Sequence, residues 1–89
     1  MVEQEITITN KLGLHARAAV KFVNLANRFL STVKVEKDGN EVDGKSILGI
    51  LTLAAIQGSR ITMRITGKDE KKASQALMAL IKDKFQERE

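Results

Sequence analysis

The sequence predicts an α+β fold in which three helices cover one face of a four-stranded antiparallel sheet. Segments where apolar and polar residues alternate, as in a half-buried strand, are separated by segments where apolar residues recur every three or four positions, as in an amphipathic helix. The resulting order is β-α-β-β-α-β-α, without proline, internal repeats or low-complexity runs. Its simplest packing has two layers and leaves the second sheet face in water, and we expect residues 1–89 to form a single domain.

The first strand and the first helix are separated by a short loop. Apolar and polar residues alternate over positions 2–9, which predicts a strand. The segment 10–13 breaks the alternation, and a helix is expected from Ala16 onwards. The solvent-facing stripe of this helix consists of polar residues spaced by four, three and four positions: Arg17, Lys21, Asn24 and Arg28.

The middle of the chain predicts a hairpin followed by a short apolar helix. Strands at 33–36 and 41–43 flank an Asp-Gly-Asn turn at 38–40, where all three residue types tolerate a positive φ. Ser46 is placed to cap the apolar helix, and we expect Gly58 to end it.

The last third of the chain predicts one more strand and a longer amphipathic helix. Ile61, Met63 and Ile65 alternate with polar residues and so mark the strand. Asp69 is expected to cap the helix that follows. The apolar residues of this helix have the spacing of one buried face: Ala73, Ala76, Leu77, Leu80, Ile81 and Phe85.

The composition disfavours several classes of function. Without cysteine the chain has no disulfide or thiolate, and one histidine cannot supply the usual zinc ligands, so we expect no metal and no cofactor. The absence of a leader pattern and of a long apolar run predicts a cytoplasmic protein, monomeric by default, with no direct membrane insertion. The net charge of +4 is spread over a mixed-charge surface, which disfavours nucleic acid as a partner.

The single histidine, His15, lies at the predicted start of the first helix. The first N–H groups of a helix lack internal partners and carry partial positive charge, so a phosphoryl group is favoured there. His15 would present a nucleophilic imidazole beside these donors, and Arg17 could pair with the phosphoryl oxygens. Position alone does not decide the question, because a lone surface histidine at a helix start is more often without function.

Ser46 and the apolar helix behind it each have two interpretations. Ser46 is first of all a helix cap, but a phosphate there would place negative charge on a protein-binding surface. Ile47, Leu48 and Leu51 are either core residues or an exposed patch beside His15 that binds a partner protein. The periodicity of the helix does not decide whether these three residues are core or surface.

Two sequence motifs resemble those of HPr, the histidine-containing phosphocarrier family of the bacterial phosphoenolpyruvate phosphotransferase system. The first is Leu-Gly-Leu-His-Ala-Arg-Ala at positions 12–18, and the second is Gly-Lys-Ser-Ile-Leu-Gly-Ile-Leu-Thr-Leu-Ala-Ala at positions 44–55. The resemblance runs from Glu5 to Phe85, and the two motifs at this spacing are highly specific. It implies an open-faced β-sandwich.

The resemblance implies a phosphoryl carrier rather than an enzyme. His15 would accept the group on Nδ1 from enzyme I, at the expense of phosphoenolpyruvate, and pass it to the IIA domains of sugar permeases. Arg17 and the N–H groups of Ala16 and Arg17 would hold the phosphoryl group. The implied docking surface consists of Val20, Ile47, Leu48 and Leu51.

The two motifs point to different branches of the family. Ser46 matches a position that is often phosphorylated by an ATP-dependent HPr kinase/phosphorylase, which slows transfer from enzyme I. Ala18 stands where sugar-transport carriers usually have proline, and His-Ala-Arg-Ala-Ala resembles the nitrogen-related paralogue NPr instead. We favour the sugar-type carrier with a regulatory serine, and an NPr-like regulatory carrier is the alternative.

Two further classes of function are less well supported. An acylphosphatase-like hydrolase would hold an acyl phosphate in the loop that contains Asn10, Gly13 and Arg17, but no motif match supports hydrolysis. An RNA-binding sheet would need aromatic residues on its strands to stack on bases, and the second and fourth predicted strands have none.

Overall fold

The structure, a computed structural model, describes residues 1–87. Within this range the chain forms four strands and three helices in the predicted order. Its strands are β1 (Val2–Thr7), β2 (Thr32–Lys37), β3 (Asn40–Asp43) and β4 (Arg60–Thr66). Its helices are α1 (Ala16–Ala26), α2 (Ile47–Thr52) and α3 (Glu70–Lys82), and a short turn follows at Lys84–Gln86. The strands pair antiparallel in the order β1-β4-β2-β3, which confirms the open-faced α+β sandwich.

The core lies between the sheet and the helices. Along β4, Ile61, Met63 and Ile65 are at most 1% exposed, as their alternation predicts. They belong to one buried cluster with side chains of β2 and of the two longer helices: Val33, Val35, Phe22, Leu77 and Ile81. Full burial of such a side chain contributes roughly 1.5–3 kcal/mol, so this cluster fixes the helices on the sheet.

The open face of the sheet carries a network of charges centred on Arg64. Its Nε donates to Glu3 Oε2 at 2.7 Å, and its Nη1 donates to Glu41 Oε2 at 3.1 Å and to Glu36 Oε1. The hydrogen bond to Glu36, followed by that to Glu3, raises the pKa of Arg64 above its usual value. This face stays in water, as predicted.

Helix α2 ends at Thr52, well before the predicted stop at Gly58. The reason is Ala54, whose φ of 50° lies in the left-handed region and cannot continue the right-handed helix. After this turn, the Ala55 carbonyl oxygen accepts a hydrogen bond from Leu14 N–H at 2.8 Å. A tertiary hydrogen bond to the loop before α1 thus replaces the helical continuation that the apolar run suggested.

Asp69 occupies the N-cap position of α3, but its side chain caps no N–H of that helix. The carboxylate instead accepts hydrogen bonds from Leu30 N–H at 2.8 Å, from Ser31 N–H at 3.0 Å and from the Ser31 hydroxyl. The predicted side-chain cap is therefore wrong, because the turn between α1 and β2 also has backbone donors to satisfy. The bond from the Ser31 hydroxyl, and then that from Leu30 N–H, lowers the pKa of Asp69.

Replacing Asp69 with asparagine is expected to lower the Tm at neutral pH. The fold stabilises the ionised carboxylate, so its contribution is complete above the unfolded pKa of about 4. That contribution is lost as the pH falls through the lower pKa of the folded state. The Tm difference between wild type and Asp69→Asn should therefore be largest near neutrality and shrink below about pH 4. A difference that stays constant with pH would show that ionisation of Asp69 contributes nothing.

Phe85 is buried, as predicted, but it does not lie on α3. The helix ends at Lys82, and Lys84, Phe85 and Gln86 have φ values of 55°, 56° and 63°. These three left-handed residues turn the chain back, so the Phe85 side chain enters the core with 0% exposure. Its carbonyl oxygen accepts a hydrogen bond from Lys21 Nζ at 2.8 Å. The predicted helical continuation is wrong, and the turn carries the next residue back to the loop between β1 and α1.

Candidate functional site

The loop between β1 and α1 is closed by Asn10 and backed by the segment after α2. Asn10 Nδ2 donates to the Gly13 carbonyl oxygen at 2.7 Å, and Gly13 N–H donates to the Asn10 carbonyl oxygen at 3.1 Å. Gly13 has a φ of 66°, and a Cβ at this position would lie 2.4 Å from the Ala55 carbonyl oxygen. Only glycine fits this close approach, so the loop brings His15 to α1 in a fixed position.

His15 is the N-cap residue of α1. Its backbone is extended, with φ −74° and ψ 176°, and its side chain makes no capping hydrogen bond. The His15 carbonyl oxygen accepts a helical hydrogen bond from Ala19 N–H at 2.9 Å. The N–H groups of Ala16, Arg17 and Ala18 come earlier in the helix and have no carbonyl partner within it. The first turn contains no acidic residue. The helix start therefore offers donors and partial positive charge beside a half-exposed imidazole.

A carboxylate that the sequence analysis did not identify contacts the imidazole. Glu87 Oε2 lies 3.0 Å from His15 Nε2 and also accepts a hydrogen bond from Asn10 Nδ2 at 2.7 Å. The side chains of Glu87 and His15 are 12% and 26% exposed. No local pattern marks Glu87, because 72 positions separate it from His15 and the turn that delivers it contains no glycine.

A cavity of about 430 Å³ lies beside His15, and its lining includes Arg17, Lys21 and Glu87. The Arg17 side chain is exposed, and no hydrogen bond or ion pair joins it to any other residue of the described range 1–87. The placement of Arg17 and His15 at one cavity agrees with the sequence analysis, while the role of Arg17 stays a prediction. A larger cavity of about 510 Å³ at residues 67–72 contains no predicted site residue.

Ser46 caps α2, as predicted from its position. Its Oγ accepts a hydrogen bond from Gly49 N–H at 3.0 Å, and the residue is half-buried. The next two residues, Ile47 and Leu48, are exposed, so a phosphate on the hydroxyl would add charge next to an apolar surface. Phosphorylation itself stays a prediction.

Apolar side chains of α1 and α2 are partly exposed. Leu48 is 75% exposed, and Val20 and Ile47 are each 39% exposed. Their role in docking a partner stays a prediction. Leu51 is less exposed, because it is half-buried and packs against the core. Its place on the docking surface stays a prediction.

Two exposed apolar residues at the loop before α1 were not predicted. Leu12 is 67% exposed and lines the same cavity as His15. Ile56 is 70% exposed, and its backbone lies against Gly13, where a Cβ would approach Ile56 Cα to 2.8 Å. Both residues lie in loops of the structure. A large apolar side chain in the break at 10–13 was the available signal for Leu12, whereas Ile56 lay within the helix that was predicted to end at Gly58.

Within residues 1–87, no group of three or more His, Cys, Asp or Glu side chains is arranged to bind a metal ion. None of the helices in this part of the chain combines the length and the hydropathy needed to cross a bilayer.

Comparison with known proteins shows the class to which this fold and its histidine belong. The family model for the "PTS HPr component phosphorylation site" matches residues 2–83. The chain is 49% identical over 89 residues to phosphocarrier protein HPr of Cupriavidus necator, covering 100% of both proteins. It therefore belongs to the HPr family of phosphocarriers.

Solved structures of relatives share this fold. HPr-C-His from Thermoanaerobacter tengcongensis superposes with a TM-score of 0.96 at 46% identity, covering 100% of both chains. Crh of Bacillus subtilis, described as a catabolite repression protein that forms a domain-swapped dimer, gives a TM-score of 0.76 at 43% identity. That match covers 94% of this chain and 97% of the other. Because a relative is dimeric, the monomeric state expected here stays a prediction.

Proposed function

We propose that this chain accepts a phosphoryl group from phospho-enzyme I on His15 Nδ1 and passes it to the IIA domains of sugar permeases. The observation that carries the proposal is the position of His15, partly exposed at a helix start that no side chain caps. Membership of the HPr family supplies the class of chemistry. The protein then acts as a carrier rather than as an enzyme, because the group it receives is the group it gives away.

Transfer to His15 needs positioning and charge stabilisation rather than further covalent chemistry. The Nδ1 lone pair forms a bond to phosphorus while the bond from phosphorus to the donor atom breaks, and that electron pair returns to the donor. In this proposal the N–H groups of Ala16 and Arg17, together with the Arg17 guanidinium, bind the phosphoryl oxygens. The phosphohistidine would then remain at an exposed helix start, where an acceptor can reach it.

The docking surface proposed for these partners consists of Val20, Ile47, Leu48 and Leu51. We extend it by the exposed Leu12, which lines the cavity beside His15, and by the exposed Ile56. Exposed apolar side chains around a charged centre provide both area to desolvate and a fixed orientation for the partner.

Ser46 is proposed as a regulatory phosphorylation site for an HPr kinase/phosphorylase. The similarity to Crh, a catabolite repression protein, supports a regulatory branch. A phosphate at Ser46 adds a charge of about −2 beside Ile47 and Leu48, where a partner would have to desolvate it. Phosphorylation should therefore weaken docking while leaving His15 itself unchanged.

Replacing Ser46 with aspartate is expected to slow phosphorylation of His15 by enzyme I. Aspartate supplies about half the charge of a phosphate, and we expect the KM for this chain to rise about tenfold, which corresponds to about 1.4 kcal/mol. Ser46→Asn is the matched control, because asparagine caps a helix as well as aspartate without adding charge. Equal kinetics in the two variants would show that the added charge at position 46 does not cause the slower phosphorylation.

A nitrogen-type carrier is the second candidate, favoured by one residue. Ala18 lies in the first turn of α1 and is 1% exposed, so the position tolerates alanine without disturbing the helix start.

An acylphosphatase-like hydrolase is less favoured, because Asn10 is 0% exposed and its Nδ2 donates to Gly13 and Glu87 instead of facing a substrate.

We propose in addition that residues 1–89 act as one cytoplasmic domain and as a monomer. Light scattering on the purified chain should give the mass of one copy. The mass of two copies would instead point to a dimer, as in Crh.

The experiment that tests the proposed function is incubation with enzyme I and phosphoenolpyruvate, followed by intact-mass measurement. The wild type should gain one acid-labile phosphoryl group, and His15→Ala should gain none. Phosphorylation of both proteins would mean that a residue other than His15 takes the phosphoryl group. No gain in the wild type would reject enzyme I as the donor and favour a nitrogen-type system.

A further inference from the structure

Within residues 1–87, the Glu87 carboxylate is the only hydrogen-bonding partner of the His15 ring. An ionised carboxylate accepts hydrogen bonds but donates none, so His15 Nε2, 3.0 Å away, must carry the shared hydrogen. A neutral imidazole has one N–H. The contact therefore selects the tautomer in which Nδ1 holds the free lone pair.

Glu87 is itself held in place from two directions. Its Oε2 accepts a hydrogen bond from Asn10 Nδ2 at 2.7 Å, and Asn10 is fully buried and fixed to Gly13. Along the chain, the turn before Glu87 is anchored by the buried Phe85 side chain and by the hydrogen bond from Lys21 Nζ to the Phe85 carbonyl oxygen. Three consecutive left-handed residues persist only where their surroundings determine them, so this turn presents the carboxylate in one place.

We propose that Glu87 is a positioning residue for phosphoryl transfer at His15, a role that rests on the proposed function. It keeps the proton on Nε2 and stabilises the positive charge that the ring acquires. When Nδ1 bonds to phosphorus and the donor bond breaks, the Nε2 proton stays on His15. The ring thus passes from neutral imidazole to a phosphorylated imidazolium whose N–H points at the carboxylate. When the phosphoryl group leaves for an acceptor, the same steps run in reverse.

The first test is the tautomer of His15, observed by ¹⁵N NMR of the imidazole at a pH where the ring is neutral. Because the chain has one histidine, a single pair of ring nitrogens is observed. The wild type should show the Nε2–H tautomer alone, and Glu87→Ala should show a mixture of both tautomers. Gln86→Ala, which changes a neighbouring residue at the same cavity, is the matched control and should resemble the wild type.

The second test is the rate of phosphorylation by enzyme I. Glu87→Ala should lower kcat about 10- to 100-fold, the range expected for a residue that orients a reacting group, with an unchanged KM for this chain. Glu87→Gln keeps an acceptor for the Nε2 hydrogen but removes the charge, so it should retain the tautomer and still lose rate.

Two results would overturn the proposal: an unchanged tautomer in Glu87→Ala, or transfer rates equal to those of Gln86→Ala. The failure of the proposed function looks different. In that case the wild type takes no phosphoryl group from enzyme I, and Glu87 then has no transfer to assist, whatever the tautomer measurement shows.

Discussion

Replacing Phe85 with alanine is expected to lower the free energy of unfolding by about 3–5 kcal/mol. The side chain is fully buried beyond the end of α3, so truncation leaves a cavity and removes the contact that holds the turn at Lys84–Gln86. Since the free energy of unfolding of a small domain is about 5–15 kcal/mol in total, the variant should be only marginally stable. Urea unfolding with an unchanged m value would measure the loss.

Phe29→Ala is the matched control for this variant. Phe29 is the same residue type and packs against the same core, but it is only half-buried and follows the opposite end of α1 from His15. It should lose clearly less stability than Phe85→Ala. Equal losses would mean that the Phe85 side chain does not fill the core as described.

Replacing Arg17 with alanine is expected to leave the fold intact and to slow phosphoryl transfer about 10²- to 10³-fold. Arg17 is exposed and has no partner among residues 1–87, so its loss leaves no buried group unsatisfied. In the proposed reaction, however, its guanidinium is the cation that binds the phosphoryl oxygens. Rapid-quench measurement of the single turnover from phospho-enzyme I gives the rate directly.

Arg28→Ala provides the comparison for Arg17→Ala. Arg28 is an exposed basic residue on the same predicted polar stripe but lies beyond the C-terminal end of α1. The Arg28→Ala substitution removes one unit of positive charge far from His15. It therefore controls for a general electrostatic effect on association with enzyme I. Equal slowing by the two variants would assign the effect of Arg17 to net charge rather than to phosphoryl binding.

Much of the fold could be predicted because local patterns determine it. The alternation of Ile61, Met63 and Ile65 gives β4, and the Asp-Gly pair at Asp38 and Gly39, with φ values of 53° and 84°, gives the hairpin turn. In these segments the local preference and the tertiary environment favour the same conformation. Sequence periodicity was therefore sufficient.

The errors occur where a distant partner overrides a local preference. Asp69 has the sequence signal of a helix cap, yet its carboxylate binds the turn at Leu30 and Ser31, nearly 40 positions away. Ala54 and Phe85 adopt left-handed conformations that their residue types disfavour. Such choices depend on the packed neighbours, which no local window contains.

The candidate site divides in the same way. His15 and the uncapped start of α1 follow from the local sequence, and so does the cap at Ser46. Glu87 could not be predicted, because the contact that defines its role joins the two ends of the chain. The half-burial of Leu51 depends on how α2 lies on the core, which an all-round apolar helix does not specify.

The hydrogen bond between Asn10 and Glu87 joins residues 77 positions apart, so almost the whole chain forms one loop that closes beside the histidine. A domain folds as a unit, although its N-terminal part is synthesised first. His15 therefore emerges from the ribosome without its carboxylate and contacts it only after Glu87 has been synthesised. The contact is thus a marker of completed folding of this domain.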